Sequence, residues 1–242
     1  MYEPRTYRHW VEGRDLTSFN VTVKETDLYI RATVNLKRKA HRLVLKYRRQ
    51  LESYIERHPV FLTSLESLPV AEDAPHIVRQ MAEAAQIAGV GPMASVAGAI
   101  AEFVGYELAP FSPDIIVENG GDIYLKSSVK RIVGIYAGNS PLSGKIGLEI
   151  NGGETPLGIC TSSGTVGHSL SYGKADAVIV LSKSATIADA AATAIGNLIN
   201  QPADINSGIE LAKDMKGVSG VVIIKDDDIG IWGKVRIRQT SV

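Results

Sequence analysis

The stretch GICTSSGTVGHSLSYGKADAVIVLSKSATIADAAATAIGN, residues 158–197, decides the fold. Its middle, Ala177 to Leu181, is a short apolar run in which Val178, Ile179 and Val180 suit a covered strand. Its end predicts a helix made almost wholly of small residues, with alanine at 188, 190, 191, 192 and 194. A helix with so few side chains buries itself only where another backbone comes close, so it packs against a neighbouring helix or a ligand. The beginning of the stretch is a loop crowded with hydroxyls and glycine, from Thr161 through Ser162, Ser163, Gly164 and Thr165 to His168.

The same succession of strand and helix patterns recurs upstream and downstream. Alternation at 19–23 and 28–34 predicts a hairpin, and Leu36, Ala40, Leu43, Val44, Tyr47, Leu51, Tyr54 and Ile55 recur at helical spacing over about 36–57. Pro75 and Gly89 bracket a second helix at 75–88, and 93–104 is a third, rich in small residues. Strands at 114–117 and 123–125 flank the turn Glu118-Asn-Gly-Gly121. Further on, strands are expected at 132–136, 147–150 and 176–181, helices at about 186–199 and 205–215, and strands at 220–224 and 229–232. This order predicts a duplicated unit of two strands, two helices and two strands, about 17–126 and 131–234, within a single domain 1–242. The fold class is α+β with mainly antiparallel sheets and packed small-residue helices.

Composition narrows the setting. The 242 residues are 45% hydrophobic, enough for a sizeable core, and the formal net charge is zero. Residues 1–60 carry 13 basic against 7 acidic side chains, and the rest of the chain cancels that excess. Lys37, Arg38, Lys39 and Arg42 lack an aromatic platform and coincide with an amphipathic helix, which reads as a solvated face without nucleic acid. Cys160 is the one cysteine, so no intrachain disulfide forms. The first 15 residues lack the apolar core of a leader, and no run reaches 18 apolar residues, so a cytoplasmic setting without a membrane span is expected.

Several residues carry candidate chemistry. Asp189 and Thr193 lie four apart on one helix face, where carboxylate and hydroxyl would share a hard cation such as Mg²⁺. The spacing Thr186-Ile-Ala-Asp189 equally fits a capping box in which Asp189 serves only its own helix. The loop from Thr161 through Ser162, Ser163, Gly164 and Thr165 offers amides and hydroxyls to a phosphate, or is an ordinary turn. His168 would touch a phosphate or move a proton. Cys160 is a thiolate nucleophile or a buried small hydrophobe. In the turn, Asn119, Gly120, Gly121 and Asp122 let a ligand approach the backbone, with Asn119 and Asp122 available to a sugar or ring edge; a tight hairpin is the plainer reading.

Taken together, these motifs resemble the flavin-transferase superfamily, the ApbE-like FAD:protein FMN transferases, in a short cytosolic branch. Ala185 to Ala194 is similar to that family's A-D-A-x-A-T-A helix, Asn119 to Asp122 to its G-G-D turn, Thr161 to Gly164 with His168 to its S-G loop, and Gly91-Pro-Met-Ala94 to its G-x-I-A-K-G segment. The resemblance spans roughly 75–200 and implies a duplicated T-fold-like architecture. It implies that Asp189 and Thr193 hold Mg²⁺ with the carbonyls of Ala192 and Ala94, and that FAD or FMN is the nucleotide bound. Ser95 stands at the family's lysine, and the segment after His168 lacks the family's aspartate and proline. Such units suggest a homo-oligomer, a dimer or higher. Two other readings stay open: sulfur assimilation or transfer through Cys160, and a non-enzymatic oligomeric binding module.

Overall fold

The computed structural model describes residues 10, 11, 13, 15–166 and 171–240. The chain opens with β1 (Thr17–Val23) and β2 (Thr26–Ala32), then α1 (Lys37–Arg57), the single turn α2 (Val60–Thr63), α3 (His76–Ala88) and α4 (Val96–Leu108). A second hairpin follows, β3 (Ile115–Asn119) and β4 (Asp122–Lys126). After β5 (Arg131–Gly134) and β6 (Ile146–Ile150) come β7 (Leu157–Ser162), β8 (Ala177–Ser182), α5 (Ala185–Leu198) and α6 (Ile205–Asp214). The last strands are β9 (Val218–Lys225), β10 (Asp228–Gly233) and β11 (Ile237–Gln239).

Eight strands form one sheet in the order β1-β2-β3-β4-β7-β8-β9-β10, and β11-β6-β5 form a smaller one. Every pairing between these strands is antiparallel, as the hairpin signals predict. Within the large sheet, hairpin, helices and hairpin follow one another in residues 17–126 and again in 157–233. The strands at 131–134 and 146–150, expected to begin the second half, instead leave the large sheet for the small one. The second half begins on β7, where the hydroxyl-rich sequence reads as loop.

Period-two alternation sorts the side chains into layers. Ile115 and Val117 face the helices, whereas Ile116 between them joins Ile123, Ile159, Ile179 and Leu148 against the small sheet. The alanine helix α5 is buried along Ala188, Ala190, Ala191 and Ala192, and it packs on α3, α4 and β7. Two glycines make this approach possible. A Cβ on Gly158 would lie 2.4 Å from the Ala185 Cα, and one on Gly98 would lie 2.4 Å from the Ala185 carbonyl oxygen.

Candidate functional site

A cavity of about 1140 Å³ runs between the large sheet, the small sheet and the N-terminal end of α4. Its floor is aliphatic, from Ile116, Ile123 and Ile159 on one sheet to Val133 and Ile135 on the other. Leu62, Leu65 and Tyr172 stand at its mouth and are exposed. Its polar side is drawn from both halves of the chain: Gly120, Gly121 and Asp122 from the β3–β4 turn, Thr161, Ser162, Ser163 and Thr165 from the end of β7, and Asp189 and Thr193 from α5. Ala94 is also on the wall.

Asp189 caps a helix, but not its own. Its Oδ2 accepts the Gly98 N–H at 2.8 Å, at the start of α4. The cap of α5 is Ser184, whose Oγ accepts from the Ile187 N–H. The favour is returned across the helix pair: Glu102 of α4 accepts from Ser184 Oγ, the Thr186 N–H and Thr186 Oγ1, each at 2.8 Å. Each helix therefore lends a carboxylate to the exposed amides of the other, where the dipole also favours negative charge. The capping-box spacing at Thr186 points to the wrong helix because the partner lies 91 residues away.

Asp122, at the start of β4, accepts the Thr161 N–H through Oδ1 at 3.2 Å and is buried. Burial pushes the Asp189 carboxyl up to about 7. Burial, and then the Asp189 charge, push Asp122 well above the usual carboxylate range. Two buried carboxyls, one raised by the charge of the other, form a place where a cation would let both ionise. No cluster of three His, Cys, Asp or Glu occurs among the described residues. The donors present are carboxylates, the Thr193 hydroxyl and backbone carbonyls, all hard oxygens that fit Mg²⁺ rather than a thiophilic metal. Ala94 lines the cavity, whereas Ala192 is buried inside α5 and is not part of the cavity wall.

A carboxyl whose folded pKa is raised stabilises the fold while protonated. That contribution is complete below the unfolded value of 3.8 and is lost as the pH passes about 7. Relative to Asp189→Asn, which does not titrate, the metal-free chain is expected to lose melting temperature between about pH 4 and pH 7 and to change no further above that. Parallel thermal scans of the two proteins check this, and a wild type that holds or gains melting temperature relative to Asp189→Asn over that range would contradict it.

The hydroxyl loop is spent differently from the expectation. The Gly164 N–H donates to the Ala175 carbonyl at 2.9 Å, and the N–H groups of Thr165 and Val166 donate to Ser163 Oγ. The Thr161 N–H goes to Asp122. An amide cradle for phosphate is thus excluded at these positions, and Gly164 lies off the wall. Its role is close packing, since a Cβ there would lie 2.0 Å from the Gly173 carbonyl oxygen. What remains toward the cavity are the side chains of Thr161, Ser162, Ser163 and Thr165. His168 lies outside the described residues.

Asn119 also turns away from a ligand: its Nδ2 donates to the Ala97 carbonyl at 3.1 Å, tying the turn to α4. Gly120 and Gly121 have φ of +68° and +108°, which glycine alone adopts without strain, and they leave the turn's surface bare. Cys160 is corrected outright. It is 0% exposed, its thiol donates to the Ala185 carbonyl at 3.2 Å, and burial with the nearby carboxylates holds it protonated. A buried, protonated thiol is a poor nucleophile, so the sulfur-transfer reading loses its reactive group.

Residues unmarked in the sequence also line the cavity. Tyr29 and Arg31 come from β2, Glu118 from β3, Tyr172 from the loop before β8, and Asn197 from the last turn of α5. Arg31 is 6% exposed, its guanidinium donates to the Val11 carbonyl, and it lies 5.1 Å from the Tyr29 ring centroid. The available signal was polar residues at alternate positions of a strand whose two faces are both covered.

A family model described as AbpE bacteria matches residues 8–224. UPF0280 protein MJ1526 of Methanocaldococcus jannaschii is 46% identical over 221 residues, covering 89% of this chain and 90% of its own. UPF0280 protein MK0206 of Methanopyrus kandleri is 42% identical over 227 residues, covering 90% of each. Among solved structures, the flavin transferase ApbE from Vibrio cholerae superposes with a TM-score of 0.62 at 13% identity, over 90% of this chain and 96% of its own. The Pseudomonas stutzeri flavinyl transferase ApbE, apo form, gives 0.60 at 16% identity, over 90% and 94%. At these identities the structural likeness is a likeness of fold.

Proposed function

The chain belongs to the family described as AbpE bacteria, and from that premise we propose that it binds a flavin nucleotide in the cavity, with Mg²⁺ beside Asp189, as an FMN-transferase-like enzyme. The observation that carries this reading is the convergence of Asp122 and Asp189, one from each half, on a cavity of about 1140 Å³. Ligand pockets are commonly about 300–1,000 Å³, so this one has room for a dinucleotide rather than a single ring.

Each part of the wall has work in this scheme. Asp189 and Thr193 hold the cation, Ala94 adds a carbonyl, and Asp122 supplies the second negative charge. When bound, Mg²⁺ supplies neutralisation of the charge that develops at a phosphoanhydride. The hydroxyls of Thr161 and Ser162 face the phosphates as side-chain donors, whereas Ser163 Oγ donates to the Ala175 carbonyl and Thr165 Oγ1 to Asp176. The bare turn at Gly120 and Gly121 lets a flat ring lie against backbone, and the aliphatic floor excludes water beneath it. Arg31 and Glu118 place a donor and an acceptor on the same wall.

Titration of the protein with FAD, FMN and ADP, with and without Mg²⁺, tests the reading. Binding that tightens with Mg²⁺ is expected for the wild type. In Asp189→Asn, which keeps an oxygen for the Gly98 N–H but loses the charge, that Mg²⁺ dependence should vanish while the melting temperature does not fall below that of the metal-free wild type. No binding of any of the three up to high-micromolar concentration overturns the proposal.

A further inference from the structure

The two edges of the large sheet are unlike. β1 ends it with Thr17, Ser18, Asn20 and Thr22 exposed, the polar decoration of an edge that stays single. β10 ends it with Ile229 at 39% and Ile231 at 44% exposed, and it carries neither lysine nor proline. An apolar edge of this kind invites another strand. We propose that β10 is the pairing edge of a symmetric dimer of this chain, in which β10 of one copy runs antiparallel to β10 of the next. The inference is independent of the flavin reading.

Charge and hydrogen-bond parity both select a second copy as the occupant. Acidic Asp226 and Asp227 precede the strand and Asp228 begins it, and basic Lys234 and Arg236 follow it. A strand negative at one end and positive at the other is complementary to itself when reversed, as a twofold interface requires. Asp226 and Arg236 have ion-pair partners within the chain, Lys225 and Glu154. Asp228 and Lys234 are exposed and form no salt bridge among the described residues, so they are available to a neighbour.

The hairpin fixes which backbone groups point outward. Asp228 stands opposite Lys225 across a two-residue turn, and the Lys234 N–H still reaches the Ser219 carbonyl at 2.8 Å. The even-numbered residues of β10 thus bond to β9, and Ile229 and Ile231 present their amides and carbonyls to the free edge, while the Gly233 carbonyl accepts the Val235 N–H at 2.9 Å. Placing Ile231 opposite Ile231 of the second copy satisfies those groups reciprocally. The same register sets Asp228 opposite Lys234, and Ile229 opposite Gly233, whose bare Cα leaves room for the isoleucine. The exposed isoleucines of both copies then form one covered stripe.

Light scattering and sedimentation over a concentration series test the proposal on the full chain. The wild type is expected to be a dimer that weakens with salt. Asp228→Lys, and separately Lys234→Asp, should each raise the dissociation constant about tenfold or more by facing like charges. The double swap should return it close to the wild-type value. Both positions are exposed, so retained melting temperatures separate association from folding. With Cys160 buried, Ile231→Cys should cross-link to its own copy under mild oxidation, whereas Thr22→Cys on the other edge should not. A monomeric wild type at about 100 μM, a charge swap without rescue, or cross-linking absent from Ile231→Cys would each overturn the proposal.

Discussion

Gly98→Val is expected to cost about 3 kcal/mol or more of folding stability and to abolish Mg²⁺-dependent binding at the same time. Helix propensity alone changes little with valine and would improve by about 1 kcal/mol with alanine, so a gain would be expected at an open helical site. Here the new Cβ would lie 2.4 Å from the Ala185 carbonyl oxygen and 2.8 Å from Asp189 Cβ. Both obstacles belong to the backbone and first carbon of α5, which is itself pinned on β7 through Gly158. The helices must part, and Asp189 leaves the Gly98 N–H as they do. Gly153→Ala is the control, because nothing lies within 4 Å of its added carbon. Urea unfolding of both variants measures the difference; a Gly98→Val protein as stable as Gly153→Ala would show that the helix contact has slack.

Glu102→Ala is expected to be of similar severity, about 3–4 kcal/mol, for an electrostatic reason. One carboxylate oxygen accepts three hydrogen bonds, and its removal strands two hydroxyls and a backbone amide, that of buried Thr186. Glu102→Gln retains an oxygen in the same place and should cost only about 1–2 kcal/mol. The ordering of the two variants in urea unfolding carries the claim. Equal losses would mean that side-chain volume, and not the acceptor, holds the start of α5.

How far the sequence could be read follows from the reach of each interaction. Local patterns disclosed what is local: the alanine run of α5, the helix from Lys37 to Arg57, Gly89 as a left-handed stop at φ +68°, and the hairpins. In sequence β7 reads as loop because Thr161 and Ser162 look like turn residues, although its place between β4 and β8 makes them strand. The departure of β5 and β6 to a second sheet rests on pairings with Val11 and with β11, which no nearby residue announces. The candidate site was legible where a motif marked it, at Asp122, Asp189 and Thr193, all of which line the cavity. It was illegible at Arg31 and Tyr29, whose strand reads as half-exposed until the small sheet is known to cover it. The donors of the hydroxyl loop were overcounted, since composition names the amides of Gly164, Thr165 and Val166 without saying that the loop itself consumes them.

The reciprocal loan of carboxylates between α4 and α5 also bears on how the molecule comes to exist. Asp189 reaches its place only by meeting amides made some 91 residues earlier in the chain. Glu102 waits, from the first half, for a helix that emerges long afterwards. A nascent chain stopped before residue 185 therefore lacks the carboxylate that caps α4 and holds Asp122 without its acidic neighbour. On the proposed function, cation uptake would then mark the moment at which the two halves have joined. Separately expressed pieces 1–150 and 151–242 should acquire it only on mixing.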